Sequence, residues 1–137
     1  MKIQLVTKNT TQYEDCQIVQ LNDLQKIENA TCTLIHMGNC LEFVNGSLLE
    51  VALKKLRYGG RIIIEGTDLL EVIYGYFRDV ITLQEVQALL FIGRHACYTL
   101  ENMVNVLRAA GLTIISNRLT QYRYTITAER SYENNML

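Results

Sequence analysis

Six segments of the chain alternate apolar with polar residues or form short apolar blocks, and this pattern predicts six β-strands. The block Ile62-Ile63-Ile64 is typical of a strand that is covered on both faces, as in a parallel sheet. Only a few residues separate the last two segments, so they suit an antiparallel hairpin and exclude a parallel crossover. The predicted strands are residues 1–7, 16–21, 31–37, 61–65, 112–119 and 122–128.

Helix-starting signals lie between the later strands. Ser47, Asp68 and Thr82 are each followed three residues later by a glutamate, which is the pattern of a capping box. Thr99 is a fourth N-cap, and the apolar residues after it keep helical spacing as far as Gly111. The predicted helices are residues 48–56, 69–77, 83–91 and 100–110.

Two adjacent glycines stand between the first of these helices and the isoleucine strand. Gly59 and Gly60 can both take the left-handed conformation that ends a helix and reverses the chain. The strand that follows ends in Thr67 and Asp68. Ligands in open α/β sheets sit beyond the carboxyl ends of such strands, so this exit is a predicted site of chemistry.

Strands that alternate with helices, followed by a closing hairpin, predict an α/β sandwich with a mixed sheet. We expect one domain over residues 1–130 and a flexible tail over residues 131–137. Near the amino terminus, Asn22 or Asp23 is predicted to cap a short helical turn that runs through Glu28.

Composition narrows the class of protein. The 137 residues suffice for one hydrophobic core, and the net charge of −1 gives no field that would attract nucleic acid or an anionic membrane. No apolar run approaches the ~20 residues of a membrane span, and the first residues lack a signal peptide, so we expect a cytoplasmic protein. The four cysteines show no CxxC spacing and the two histidines are far apart, so no metal site is predicted.

Three motifs within residues 17–130 resemble the C-terminal part of class I S-adenosylmethionine-dependent methyltransferases. Residues 38–44, GNCLEFV, resemble the "hxLEHh" segment after the fourth strand of that family. Residues 56–68, LRYGGRIIIEGTD, resemble "LKPGGxLxIxxPD", and residues 99–112 resemble the late helix that ends in "AGF". The resemblance implies a truncated Rossmann-like mixed sheet with a C-terminal antiparallel hairpin and helices on both faces.

The chain also departs from the family's pattern. Active members carry a glycine-rich loop after their first strand, where the backbone approaches the cofactor, but this chain has no glycine before Gly38. Asp23 is the one nearby candidate for the acid that binds the cofactor ribose. Asn39 and Phe43 replace the two histidines of the "H-x-LEH" segment, and Thr67 replaces a proline. The resemblance therefore implies that the N-terminal half of the fold is deleted or eroded.

The resemblance also implies candidate site residues. Those for S-adenosylmethionine are Gly38, Asn39, Glu42 and Asp23, those for substrate are Asp68, Arg94 and Tyr98, and His95 is a candidate catalytic base. Three of these residues also have a simpler explanation. Glu42 suits a solvated charge equally well, Asp68 is explained by helix capping alone, and a histidine in a loop, such as His95, is commonly just solvated.

Two functions follow from the resemblance. One is a non-catalytic methyltransferase-like module for binding or assembly, either a homo-oligomer or bound to a partner protein that covers an exposed sheet edge. The other is a reduced S-adenosylmethionine-dependent methyltransferase that acts on a small molecule or sugar. A third hypothesis is an unrelated small α/β enzyme that uses Cys40 or His95.

Overall fold

The computed structural model describes residues 1–6, 16–38, 41, 48–92, 94 and 96–131. Six strands and four α-helices lie in these ranges, together with one 3₁₀ helix, Leu21–Lys26. The strands are β1 (Lys2–Val6), β2 (Gln17–Gln20), β3 (Cys32–Met37), β4 (Leu56–Thr67), β5 (Leu112–Thr120) and β6 (Arg123–Arg130). The helices are α1 (Leu48–Lys55), α2 (Leu69–Phe77), α3 (Leu83–Leu90) and α4 (Leu100–Ala109).

The six strands form one mixed sheet in the order β2-β1-β3-β4-β6-β5. Strands β2, β1, β3 and β4 run parallel, whereas β6 is antiparallel to both β4 and β5. The predicted Rossmann-like α/β fold with a mixed sheet and a closing antiparallel hairpin is therefore confirmed. All four parallel strands present their carboxyl ends at one edge of the sheet, which is the edge that carries ligands in open α/β proteins.

Two rows of fully buried side chains cross the middle of the sheet and form its core. The strand register places Ile3, Ile35, Ile62 and Ala128 in one row and Leu5, Met37, Ile64 and Ile126 in the next. Side chains from α1 and α4 belong to the same core. Because burying a leucine, isoleucine or methionine side chain contributes about 1.5 to 3 kcal/mol, a one-residue slip that turned these rows to the other face would be costly, and the rows therefore help to fix the register of β1, β3 and β4.

Helices α2 and α3 form a second, smaller core with the turn that precedes β6. Val72, Ile81 and Leu90 are buried there, and Tyr122 packs against them. Thr82 caps α3 in a complete capping box, and Thr99 caps α4 by accepting a hydrogen bond from the Asn102 N–H. The caps predicted at these two positions are confirmed; Ser47, the predicted cap of α1, lies outside the described residues.

The two adjacent glycines lie inside β4 and not in a separate turn before it. The register jumps from Cys32 opposite Leu56 to Leu34 opposite Arg61, so the intervening residues of β4 bulge out of the ladder. The strand predicted over residues 61–65 was too short, because β4 runs from Leu56 to Thr67 and Leu56 already pairs with β3. Gly59 has a left-handed φ of 78° as predicted, whereas Gly60 is not among the residues with positive φ.

The helical turn after β2 also differs from the prediction. It begins at Leu21 and ends at Lys26, so it does not reach Glu28. Gln20 holds the N-cap position without a side-chain hydrogen bond, and Asn22 and Asp23 lie within the turn. The predicted cap was therefore wrong because the helix starts ahead of both residues.

In the ranges that the structure describes, no helix is long and apolar enough to cross a membrane. The predicted tail falls outside these ranges except for Ser131.

Candidate functional site

The chain reverses its direction of travel across the sheet between β1 and β3. From β1 it moves outward to β2, and it then returns to pair β3 with the other side of β1. In doubly wound folds such a switch point opens a crevice at the carboxyl ends of the two strands, and ligands bind there. The edge beyond β1 and β3 is therefore the candidate functional site.

Two of the residues predicted to bind cofactor, Gly38 and Asp23, are among the described residues. Gly38 is buried and directly follows β3 at the switch point. Asp23 lies beyond the edge strand β2, where its Oδ1 is 3.0 Å from the Lys26 Nζ in an exposed ion pair. Asn39 and Glu42 lie outside the described residues, so the structure places only Gly38 and Asp23.

Asp68, a predicted substrate ligand, caps two helices at once. Its Oδ1 accepts a hydrogen bond from the Glu71 N–H of α2 at 3.0 Å, and its Oδ2 accepts one from the Leu100 N–H of α4 at 2.8 Å. The residue is only 4% exposed. The N-cap explanation is thus confirmed, and the carboxylate compensates the unpaired N–H groups and positive dipole ends of both helices. Substrate binding by Asp68 stays a prediction.

The loop between α3 and α4 is tied to the same strand end. The Leu69 N–H donates to the Tyr98 carbonyl oxygen at 2.9 Å, which places Tyr98 beside Asp68 in a short parallel bridge. Arg94 instead donates from Nη1 to the Ala88 carbonyl at 2.8 Å, at the end of α3. The structure therefore brings Tyr98 and Asp68 together and attaches Arg94 to α3, while His95 lies outside the described residues.

A cluster of charged and polar side chains that sequence reasoning missed lies on the sheet near the same edge. His36 on β3 is buried, and its Nε2 lies 3.7 Å from the Glu65 Oε1 on β4. The Glu65 Oε2 lies 3.8 Å from the Arg123 Nη2 on β6. We call His36, Glu65 and Arg123 the sheet-face cluster.

The sheet-face cluster left only a weak signal in the sequence. His36 stands between Ile35 and Met37 in an otherwise apolar strand, and Glu65 ends the isoleucine block. Both break the apolar pattern, but only the strand register shows that the two residues face the same side of the sheet.

His36 makes stability depend on pH. Burial lowers the pKa of its imidazole from 6.5, while the Glu65 carboxylate acts in the opposite direction. At a pH between the folded and the unfolded pKa of His36, the unfolded chain binds more protons than the folded chain. Protonation of His36 therefore does not reduce the free energy of unfolding above about pH 6.5, and it reduces this free energy increasingly as the pH falls below 6.5. The slope due to His36 is at most about 1.4 kcal/mol per pH unit.

We expect His36→Gln to flatten this part of the stability profile. The measurement is urea unfolding of both proteins between about pH 5 and pH 7.5. Equal slopes in the parent and His36→Gln would contradict the assignment.

A shallow pocket of about 130 Å³ lies at the opposite end of β4 from the candidate site. Arg130 lines it, but this guanidinium already donates to the Leu56 carbonyl at 2.6 Å and stacks 4.4 Å from the centre of the Tyr58 ring. These contacts tie the end of β6 to the start of β4. The pocket is therefore better explained by packing than by ligand binding.

Comparison with known proteins identifies the fold. No family model matches the chain, and no curated protein matches its sequence. Among solved structures, an S-adenosylmethionine-dependent methyltransferase from Thermotoga maritima, a possible histamine N-methyltransferase, matches with a TM-score of 0.60 and 12% identity. That match covers 85% of this chain and 65% of the other.

Two further structures show the same likeness. A putative methyltransferase in complex with the Trm112 methyltransferase activator of Haloferax volcanii matches with a TM-score of 0.62 and 12% identity, over 89% of this chain and 65% of the other. An O-methyltransferase family protein from Burkholderia thailandensis matches with a TM-score of 0.59 and 15% identity, over 85% of this chain and 36% of the other. This chain therefore has a class I methyltransferase-like fold and spans less than two thirds of each of these structures.

Proposed function

We propose that this chain is a non-catalytic methyltransferase-like module whose function is to bind another protein chain. The observation that carries the proposal is a set of exposed apolar side chains on α2, α3 and the turns beside them. Exposed patches of this kind mark interaction sites in soluble proteins. The exposed apolar side chains of this region are Leu70, Ile73, Tyr74, Tyr76, Phe77, Val80, Leu83, Phe91 and Ile92.

The sequence after β1 and the contacts of two candidate ligands support a binding function over catalysis with S-adenosylmethionine. In the sequence, residues 7–15 follow β1 and include no glycine that would let the backbone approach a cofactor closely. Asp23, the candidate ribose ligand, is paired with Lys26. Asp68, a candidate substrate ligand, has both carboxylate oxygens bound to helix N–H groups. We therefore derive no catalytic step through this cofactor.

The helices are a better partner surface than the sheet edges. Strand β2 is an edge of only four residues, and β5 carries a register shift between Ile114 and Ser116. Short and bulged edges are the devices by which proteins prevent further strand pairing. A partner that covers apolar surface would consequently bind at α2 and α3 and not extend the sheet.

One structural neighbour gives independent support. The methyltransferase that matches with a TM-score of 0.62 was solved in complex with the Trm112 activator, a protein partner. A chain with this fold can therefore present a protein-binding surface. Our proposal extends that property to this chain.

Calorimetric titration tests the proposal against catalysis. We expect flat heats with S-adenosylmethionine and S-adenosylhomocysteine from micromolar to millimolar concentration. The Thermotoga maritima methyltransferase, titrated under the same conditions, is the positive control. Saturable binding with one site per chain would overturn the proposal.

A reduced S-adenosylmethionine-dependent methyltransferase for a small molecule or sugar is the second candidate. It is favoured by the buried Gly38 directly at the switch point, where a ligand would approach the backbone. If this function is correct, Glu42→Gln weakens S-adenosylhomocysteine binding without lowering the melting temperature. Asp68 is unsuitable for that test because its substitution removes two helix caps.

A further inference from the structure

Helix α2 is apolar on two opposite sides, and among the described residues only one of these sides is covered. Val72 and Gly75 face inward, and Gly75 lies so close to Tyr122 that an added Cβ would be 3.0 Å from the tyrosine ring. The outward stripe repeats at positions i, i+3, i+4 and i+7, which form one continuous helix face. Its members are Leu70, Ile73, Tyr74 and Phe77, which are 43%, 47%, 46% and 83% exposed. We call these four residues the α2 stripe.

The exposed area of the α2 stripe suits a protein interface. Large side chains expose about 150 to 250 Å² each when fully accessible, so the fractions above leave roughly 400 Å² of apolar surface in water. A standard interface buries about 800 Å² per partner, of which somewhat more than half is apolar. The α2 stripe alone can therefore supply most of the apolar area that one side of a standard-size interface buries.

The charges beside the α2 stripe are complementary to a reversed copy of the same helix. Glu71 lies in the first turn of α2, and Arg78 follows its last residue. The Arg78 guanidinium sits 5.4 Å from the centre of the Tyr74 ring, at the border of the stripe. In an antiparallel pair of these helices, the Glu71 end of one meets the Arg78 end of the other.

From these observations we propose that the α2 stripe is the interface of a two-fold homodimer in which α2 packs antiparallel to α2 of a second copy. A two-fold interface must be complementary to itself, and an apolar stripe with opposite charges at its two ends meets that condition. This inference rests on the proposed function and names the partner chain as a second copy of this protein.

The charged residues of α2 also argue against a lipid surface as the partner of the α2 stripe. Helices that lie on membranes carry lysine or arginine along their polar border. In α2 and the residues that flank it, Asp68, Glu71 and Asp79 are acidic and Arg78 is the one basic residue. This net negative charge gives no attraction to anionic lipid.

Sedimentation equilibrium of the full chain tests the interface. We expect a dimer of twice the 15.7 kDa chain mass, and we expect Ile73→Glu to raise its dissociation constant by about 100-fold. Val106→Glu is the matched control, because Val106 is 44% exposed on α4 and Ile73 is 47% exposed on α2. Equal weakening by both substitutions, or a parent chain that stays monomeric at millimolar concentration, would overturn the proposal.

Charge reversal tests the two-fold geometry independently of the apolar contacts. Glu71→Arg or Arg78→Glu alone places like charges at both contacts, and each should weaken the dimer by about tenfold. A mixture of the two variants pairs opposite charges again and should recover the parent affinity as a heterodimer. Glu101→Arg, in the first turn of α4, controls for charge reversal at a helix start. A mixture that associates no better than the separate variants would contradict the antiparallel pairing.

Sedimentation and calorimetry together distinguish the homodimer from the more general function of binding a protein chain. A monomeric parent chain with flat heats toward S-adenosylmethionine removes the homodimer but leaves a module for a different protein, or a lipid surface if the chain floats with anionic vesicles. Saturable cofactor binding removes the proposed function whatever the oligomeric state.

Discussion

Asp68→Ala is expected to lower the free energy of unfolding by about 3 kcal/mol, because each of two charge-assisted hydrogen bonds contributes about 1.5 kcal/mol or more. The carboxylate accepts the Glu71 and Leu100 N–H groups from a site that is 4% exposed. Without it, two helix ends keep unpaired N–H groups that water reaches poorly. Urea unfolding followed by circular dichroism measures the change.

Two variants show whether Asp68 acts through both oxygens. Asp68→Asn keeps one accepting oxygen and turns an N–H₂ group toward the other helix, so we expect an intermediate loss of about 2 kcal/mol. Thr82→Ala removes a single exposed cap from α3 and should cost about 1 kcal/mol. If Asp68→Ala cost no more than Thr82→Ala, the double cap would not be a major source of stability.

Gly60→Ala is expected to destabilise the protein by about 2 to 3 kcal/mol, the usual cost of forcing an atom into a packed site. A Cβ at this position would lie 2.8 Å from the Cys32 carbonyl oxygen and 2.9 Å from the Arg57 carbonyl oxygen. Both are backbone atoms, so β3 and β4 would have to separate where the register shifts. Chemical denaturation of the purified variant measures this loss.

Gly59→Ala is the matched control for Gly60→Ala. Gly59 has a φ of 78°, but no atom lies within 4 Å of the position of an added Cβ. The expected cost is therefore only the backbone strain of about 1 kcal/mol. A larger loss for Gly59→Ala than for Gly60→Ala would mean that chain conformation, and not the close approach of two strands, requires the glycine pair.

Helix starts were predictable because capping is a local interaction. Asp68, Thr82 and Thr99 each accept a backbone N–H three residues ahead, and that spacing is visible in the sequence. The second hydrogen bond of Asp68 was not predictable. Its partner, Leu100, lies 32 residues away and reaches the carboxylate only because the loop before α4 returns to the end of β4.

The predicted cap near Asp23 failed for a related reason. Asn22 and Asp23 are good capping residues, but the 3₁₀ helix starts earlier, at Leu21. Its start follows the end of β2, and Leu24 is buried in the main core. Tertiary packing therefore outweighed local capping preference in this short turn.

The two faces of α2 show a further limit of sequence patterns. Leu70, Ile73 and Phe77 have the spacing of a buried helix face, yet the chain packs the opposite face, through Val72 and Gly75, against Tyr122. Gly75 decides this choice because only a residue without a Cβ lets the helix approach the ring so closely. The pattern predicts an apolar contact but does not say which chain provides it.

The order of strands and helices, three of the helix caps and the closing hairpin could be predicted from the sequence, because apolar periodicity and capping act over a few residues. The extent of β4, the strand register, the double cap at Asp68, the contact of His36 with Glu65 and the exposed side of α2 became visible only in the folded protein. These features depend on contacts between residues distant in the chain, and the free energy of such contacts comes from packing and strand pairing that no short segment specifies.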